Sequence, residues 1–177
     1  MSSIKTGLLE ITGSKGMKAE EKAAAFSRLL IKELHDYEYI EGKNVRYRKP
    51  LDFVAIEAPM RNIQTYTKGG EDMAGSTEET TVNPNQMQLI GLICAATAIL
   101  DAYRLPWVTI PSSTWRKQFL GYGRKPGFAS KDWKKAAMER CQMLKIPVKK
   151  HDAAEAVGIA FAATASQQYK MLQMRAA

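Results

Sequence analysis

The segment His151 to Ala163 (His-Asp-Ala-Ala-Glu-Ala-Val-Gly-Ile-Ala-Phe-Ala-Ala) constrains the fold more than any other stretch of the chain. Its residues are small or apolar, and a helix that is apolar on most of its circumference has to be buried. Ala153, Ala154, Ala156 and Gly158 let such a helix lie close against a sheet. Asp152 and Glu155 stand three residues apart in its first turn, so they share a face. The helix dipole accounts for one acid there, at about 0.3–1 kcal/mol per charge. It accounts less well for two acids beside a close-packing surface.

A buried helix of this kind needs a sheet to pack on, and the sequence offers short strands. Leu51 to Ile56 is a compact apolar run, the pattern of a buried strand. It closes on Glu57 and is stopped by Pro59. Ile4 to Thr12 and Pro106 to Ile110 read as two further strands. Helices are expected over Lys18 to Tyr37, over a short stretch after Pro111-Ser112-Ser113, over Lys131 to Leu144 with Ser130 as cap, and from Lys150 towards Met171. Asn83-Pro84 is an N-cap and first-turn pair for a helix reaching Tyr103, expected to be buried. Glu38 to Pro50 reads as an exposed connection. Residues 61–82, rich in Gly and polar side chains, read as a long mobile loop. Strands alternating with helices imply an α/β layout with a partly parallel sheet, in a single domain over residues 1–177.

The 177-residue chain is large enough for a real core. Its longest apolar stretch, Leu89 to Leu100, falls short of the roughly 18 residues that a membrane-spanning helix needs. Cys94 and Cys141 lack metal-ligand spacing and fit free thiols in a reducing compartment, with Cys94 expected to be buried. Charge is unevenly placed. Twelve Lys and Arg between Arg104 and Lys150 face only Asp132 and Glu139, so that stretch carries +10 of a chain whose net charge is +8. A basic segment on a near-neutral body is the electrostatic footprint of a nucleic-acid partner.

Carboxylates beyond the C-terminal ends of strands point into the crevice where α/β proteins bind ligands. Taken alone, Glu57 is equally a solvated strand-end side chain, and Asp152 with Glu155 equally a helix-dipole pair. Taken together, clustered carboxylates repel unless a cation bridges them. Oxygen-only ligands select hard ions such as Mg²⁺ or Mn²⁺. Such ions beside a basic surface are the makings of phosphodiester hydrolysis. Tyr122, Arg124 and Lys125 in the glycine-rich loop Gly121 to Ala129 suit contact with phosphates and unpaired bases. Trp115, Phe119 and Trp133 read as core residues that pack the short helices.

At these residues the chain resembles the RuvC-like Holliday-junction resolvases of the RNase H-like superfamily, especially the phage-type members. Val54-Ala55-Ile56-Glu57-Ala58-Pro59 looks like the strand presenting the family's second acid. His151-Asp152-Ala153-Ala154-Glu155 looks like its C-terminal helix, with Glu155 where Asp is commoner. The stretch Pro111 to Leu144 matches the family's strand, Trp-bearing helix, basic glycine loop and Lys-rich helix. The resemblance covers about Thr6 to Ala163. It implies an RNase H-like mixed sheet flanked by helices. It also implies a Mg²⁺-dependent endonuclease, with Mn²⁺ as substitute, acting on Holliday junctions or other branched DNA in phage recombination.

Glu57, Asp152 and Glu155 would then be catalytic metal ligands, and His151 an outer-sphere donor or near-ligand. Arg61, Lys68, Arg116, Lys117, Tyr122, Arg124, Lys125, Lys131, Lys134 and Lys135 would contact DNA. The family works as homodimers, and a phage or prophage product would act in the cytoplasm of a bacterial host. The family's first acid has no counterpart in the opening residues. Two alignments stay open: an Asp-bearing strand lies upstream of Met1, truncated from this chain, or Thr6 to Thr12 is the family's third strand. Glu10 is the one candidate substitute. Without a shared ligand, a catalytically weak or inactive branched-DNA-binding remnant is the alternative reading.

Overall fold

The computed structural model describes residues 4, 6–34, 36–40, 44–48, 51–59, 65–70 and 77–176. Six helices and six strands follow one another in them. Helix α1 (Ala19–Leu34) is followed by the hairpin β1 (Asp36–Ile40) and β2 (Asn44–Arg48). Strand β3 (Val54–Glu57) comes next, then a second hairpin, β4 (Thr65–Gly70) and β5 (Thr77–Val82). Helix α2 (Pro84–Ala102) leads to β6 (Trp107–Ile110). The chain ends in α3 (Ser112–Leu120), α4 (Ser130–Met143), α5 (His151–Ala163) and α6 (Gln167–Ala176).

Strands β3 and β6 form a parallel pair with Val54 opposite Trp107 and Glu57 opposite Ile110. Two backbone bonds extend the ladder at its ends, from the Val54 N–H to the Pro106 carbonyl and from the Ala58 N–H to the Ile110 carbonyl, both 2.9 Å. Side chains of a strand alternate between faces, and the core divides accordingly. Val54 and Ile56 pack with Leu30, Leu34, Leu100 and Leu105 on the α1–α2 side. Phe53, Ala55, Val108 and Ile110 pack with Trp115, Phe119, Ala154, Ile159 and Ala162 on the side of α3 and α5. The molecule is therefore mixed α/β, with a small parallel sheet between two layers of helices. By the same alternation Glu57 follows Phe53 and Ala55 onto the α5 side.

The small-residue helix is buried on one face only, with Ala156, Ala160 and Phe161 exposed, contrary to the expectation for Ala156. Ala153, Ala154, Gly158, Ile159, Ala162 and Ala163 of α5 are buried. A Cβ at Gly158 would stand 2.8 Å from the Trp115 ring and 3.0 Å from Phe119, so only glycine permits this approach of α5 to α3. Asn83 caps α2 as expected, its Oδ1 accepting from the Asn85 N–H at 3.0 Å, with Pro84 at the first helical position.

Several expectations are corrected. Ile4 to Thr12 is not a strand: its described residues run irregularly, because they take side-chain partners from the loop before α5 in place of a ladder. The Thr6 hydroxyl donates to the Pro147 carbonyl at 2.7 Å, and Glu10 pairs with Lys150. Helix α1 stops at Leu34, short of Tyr37, and 38–50 is not a plain connection. The register of β1 and β2 sets Tyr37 opposite Tyr47 and Glu38 opposite Arg46, a pairing of strand formers and of opposite charges. Residues 61–82 are not a structureless loop, since Thr-rich β4 and β5 pair within them. The cap of α4 is supplied by Asp132, not Ser130: its Oδ2 accepts from the Ala129 N–H at 2.8 Å. The last helix breaks at Thr164 to Ser166, where the Ser166 hydroxyl donates to the Ala163 carbonyl at 2.6 Å and accepts from the Tyr169 N–H. Helix α2 is only partly covered, with Met87, Leu89 and the free thiol of Cys94 exposed.

Candidate acidic site and its basic surround

Strand β3 carries Glu57 to the C-terminal edge of the sheet, half-buried on the α5 side. The fully buried Trp115 of α3 donates its indole N–H to Glu57 Oε1 at 3.1 Å. The same indole ring packs on Gly158, three residues beyond Glu155 on α5. Trp115 thus lies between the strand that bears one acid and the helix that bears two.

Glu155 is half-buried, while His151 and Asp152 at the start of α5 are exposed. The Glu155 carboxyl is pushed above the ordinary carboxylate range, first by burial and then by the negative charge of Glu57, with a smaller push from Asp152. Lys134 and Arg116 oppose that shift. Glu155 thus feels both of the other acids named from the sequence, Glu57 on β3 and Asp152 on α5. Asp152 Oδ1 is paired with the Lys134 ammonium at 3.2 Å, an ion pair between side chains that are 62% and 36% exposed.

The donor set is oxygen-only, and burial together with the charge of Glu57 holds Glu155 protonated to higher pH than usual. That chemistry fits a hard divalent cation, since Mg²⁺ binds through one or two carboxylates and fills its remaining positions with water and phosphate oxygens. A cage of three protein donors is a different matter. Among the described residues no group of three His, Cys, Asp or Glu side chains is disposed to hold a metal ion. Glu57 is held by Trp115, and Asp152 is turned to Lys134. Glu10 does not join them: Lys150 engages it, holds its carboxyl below the usual range, and leaves it exposed.

Two cations, Lys134 and Arg116, reach this edge, and others lie on α3, the glycine loop and α4. Arg116 lies on α3 with its guanidinium carbon 4.6 Å from the Trp133 ring centroid and 5.4 Å from that of Trp115. Its Nε is buried and has no hydrogen-bond partner. Tyr122, Phe128 and Trp133 form an aromatic triad with centroids 5.0–6.0 Å apart. Lys125 sits over Tyr122 and Phe128. Tyr122 is thus half-buried within the protein and covered by a cation. Lys117, Arg124, Lys125, Lys131 and Lys135 are exposed. An open groove of about 690 Å³ runs between α3 and the glycine loop, lined by Ser113, Thr114, Lys117, Gln118, Gly123 and Arg124. Lys68 lies on β4 opposite Glu79 in the hairpin register. Arg61 falls outside the described residues.

Sequence reasoning read Trp115 as core and Arg116 as a DNA contact and missed that both belong to the acidic edge. Trp115 and Arg116 were visible as an aromatic and a cation on a short helix. Nothing in their spacing pointed to an acid 58 residues upstream. No helix among the described residues is long and apolar enough to cross a membrane. Comparison with protein-family models, with curated proteins and with solved structures finds no match for this chain.

Proposed function

We propose that this chain is a metal-dependent, structure-selective DNA endonuclease of the RuvC-like, RNase H-like kind, acting on Holliday junctions or other branched DNA. One observation carries the reading. Trp115 donates to Glu57 at the end of β3 and packs its ring on Gly158 of α5, one turn from Glu155, so two half-buried acids sit on elements joined by one side chain, with Lys134 paired to Asp152. In this reading Glu57 and Glu155 hold a Mg²⁺ or Mn²⁺ ion, with Asp152 joining when it leaves Lys134. The ion supplies Lewis acidity at a phosphodiester and lowers the pKa of water. The chain's own residues bind and orient the substrate. Lys117, Arg124, Lys125, Lys131 and Lys135 hold phosphates, Arg116 and Lys134 neutralise charge at the acidic edge, and His151 stands exposed beside Asp152 as an outer-sphere donor.

A junction has two-fold symmetry, so the reading carries a homodimer with it. Free thiols at Cys94 and Cys141 support a reducing compartment, and the reading assigns the protein to recombination of phage or prophage DNA in a bacterial cytoplasm. Single-turnover cleavage of a synthetic four-way junction with Mn²⁺ is the test. Wild type is expected to cut at least about a hundredfold faster than Asp152→Asn, the scale on which loss of a charged catalytic group acts. Equal rates overturn the enzyme reading. The second reading, a branched-DNA-binding remnant without activity, is favoured by the engagement of Asp152 with Lys134 and by the want, among the described residues, of three acids disposed to hold a metal. It predicts tight junction binding and no cleavage by either form.

A further inference from the structure

We propose that Trp115 is the positioning residue for Glu57, fixing the orientation of its carboxylate and joining the two acid-bearing elements. The inference rests on the reading above, that Glu57 and Glu155 are cation ligands. An indole N–H can only donate, and a buried donor needs an acceptor. Trp115 is 0% exposed, and Glu57 Oε1 is the acceptor at 3.1 Å. The bond takes one lone pair of Oε1 and fixes the orientation of the carboxylate, leaving Oε2 free of this partner.

The ring itself cannot move to follow Glu57. Gly158 gives it room on the α5 side, where a Cβ would approach to 2.8 Å, and Phe119 closes on the same glycine. Ile110, at the end of β6, belongs to the same buried cluster as Trp115 and Phe119. One side chain thus touches α5 with its face and holds β3 by its nitrogen. Glu155 lies three residues before Gly158, on the same face of α5. Trp115 therefore joins β3, which carries Glu57, to the face of α5 that carries Glu155. Carboxylate ligands of metals are commonly fixed by such outer hydrogen bonds, and loss of the partner lowers metal affinity about 10–100-fold.

The test is Mn²⁺ binding by the full chain without DNA, read from the electron paramagnetic resonance signal of the free ion. Trp115→Phe keeps an aromatic core side chain and removes the N–H. It is expected to bind Mn²⁺ about 10–100-fold more weakly, while Met138→Leu, a change on α4 at the margin of the same core that leaves the N–H in place, binds as wild type does. Glu57→Gln is the control for the underlying reading. If Glu57→Gln weakens binding and Trp115→Phe does not, Glu57 stands as a ligand and the positioning role is overturned. If Glu57→Gln binds Mn²⁺ as wild type does, the acidic site itself is wrong and this inference falls with it. Wild type provides an independent measurement that does not depend on the fold of a variant. The indole N–H resonance of Trp115 should shift on addition of Mg²⁺ while that of the half-exposed Trp107 does not. An unmoved Trp115 resonance, in protein that binds the ion, overturns the proposal.

Discussion

At the scale of single residues, the raised carboxyl of Glu155 ties stability to pH. Burial and the charge of Glu57 make the folded state bind this proton more tightly than the unfolded chain does. Ionised Glu155 therefore costs stability in the metal-free protein. The cost is absent below the unfolded value of about 4.3. It grows as pH rises towards the elevated folded value and is complete above it. Glu155→Gln removes that cost. Thermal melts of the metal-free variant should lie above wild type at neutral pH, and the gap should close as the pH is brought down to about 4. A gap independent of pH sinks this account. Gly158 offers a second residue-scale expectation. Alanine gains about 1 kcal/mol of helix propensity over glycine, but here its methyl meets the Trp115 ring, and overpacking a core costs about 1–3 kcal/mol. Gly158→Ala should lose about 1 kcal/mol net, some 2–4 °C in Tm, and Gly158→Val more; a rise in Tm for either contradicts the close approach. The glycine and the acids were legible in the sequence because each sits in a local pattern: a strand end, a helix turn, a run of small residues. The bond from Trp115 to Glu57 was not, because it joins positions 58 residues apart and only the fold brings them together.

At the scale of elements, what the sequence showed depended on whether local propensity and burial agreed. Helix α2 begins where Asn83-Pro84 says it should, and β3 and β6 form on the apolar runs, although β3 starts at Val54 with Leu51 left exposed and is half-buried, not buried. The hairpins were lost for the opposite reason. Glycine and charge in 61–82 read as loop, yet Thr65, Thr67, Thr77, Thr80 and Thr81 are β-branched and pair in register. The start of α4 shows the same competition in miniature. Ser130 has the chemistry of a cap, but Asp132, two residues on, reaches back to the Ala129 N–H at 2.8 Å and so acts as the carboxylate half of a capping box. Its charge also meets the positive end of the helix dipole. Asp132→Ala should cost about 0.5–2 kcal/mol, and Ser130→Ala a few tenths. Paired denaturation curves separate the two, and a larger loss at Ser130 reverses the assignment. Because α4 carries Lys131, Lys134 and Lys135, fraying of its first turn should also weaken DNA binding at unchanged site chemistry.

At the scale of the whole molecule, the decisive property is how charge is divided. The acidic edge is small, internally countered by Lys134 and Arg116, and set in a chain whose basic excess lies between Arg104 and Lys150. A protein that uses this surface for phosphates releases condensed counter-ions when it binds, so log K falls with log salt at about 0.9 per phosphate neutralised on duplex DNA. Five exposed cations flank α3, the glycine loop and α4: Lys117, Arg124, Lys125, Lys131 and Lys135. If each meets one phosphate, the slope is about −4 to −5. Replacing Lys117 or Arg124, which line the groove beside α3, by alanine should flatten it by about 1 each while leaving the preference for a four-way junction over a linear duplex intact. Lys134 should behave differently, because Asp152 already holds it. Lys134→Ala should change the slope by less than Lys117→Ala does, since breaking an exposed ion pair offsets part of any phosphate contact. Equal slopes for all three variants and wild type would mean that the basic segment is a solvated surface, and that the acids at its edge serve the fold alone.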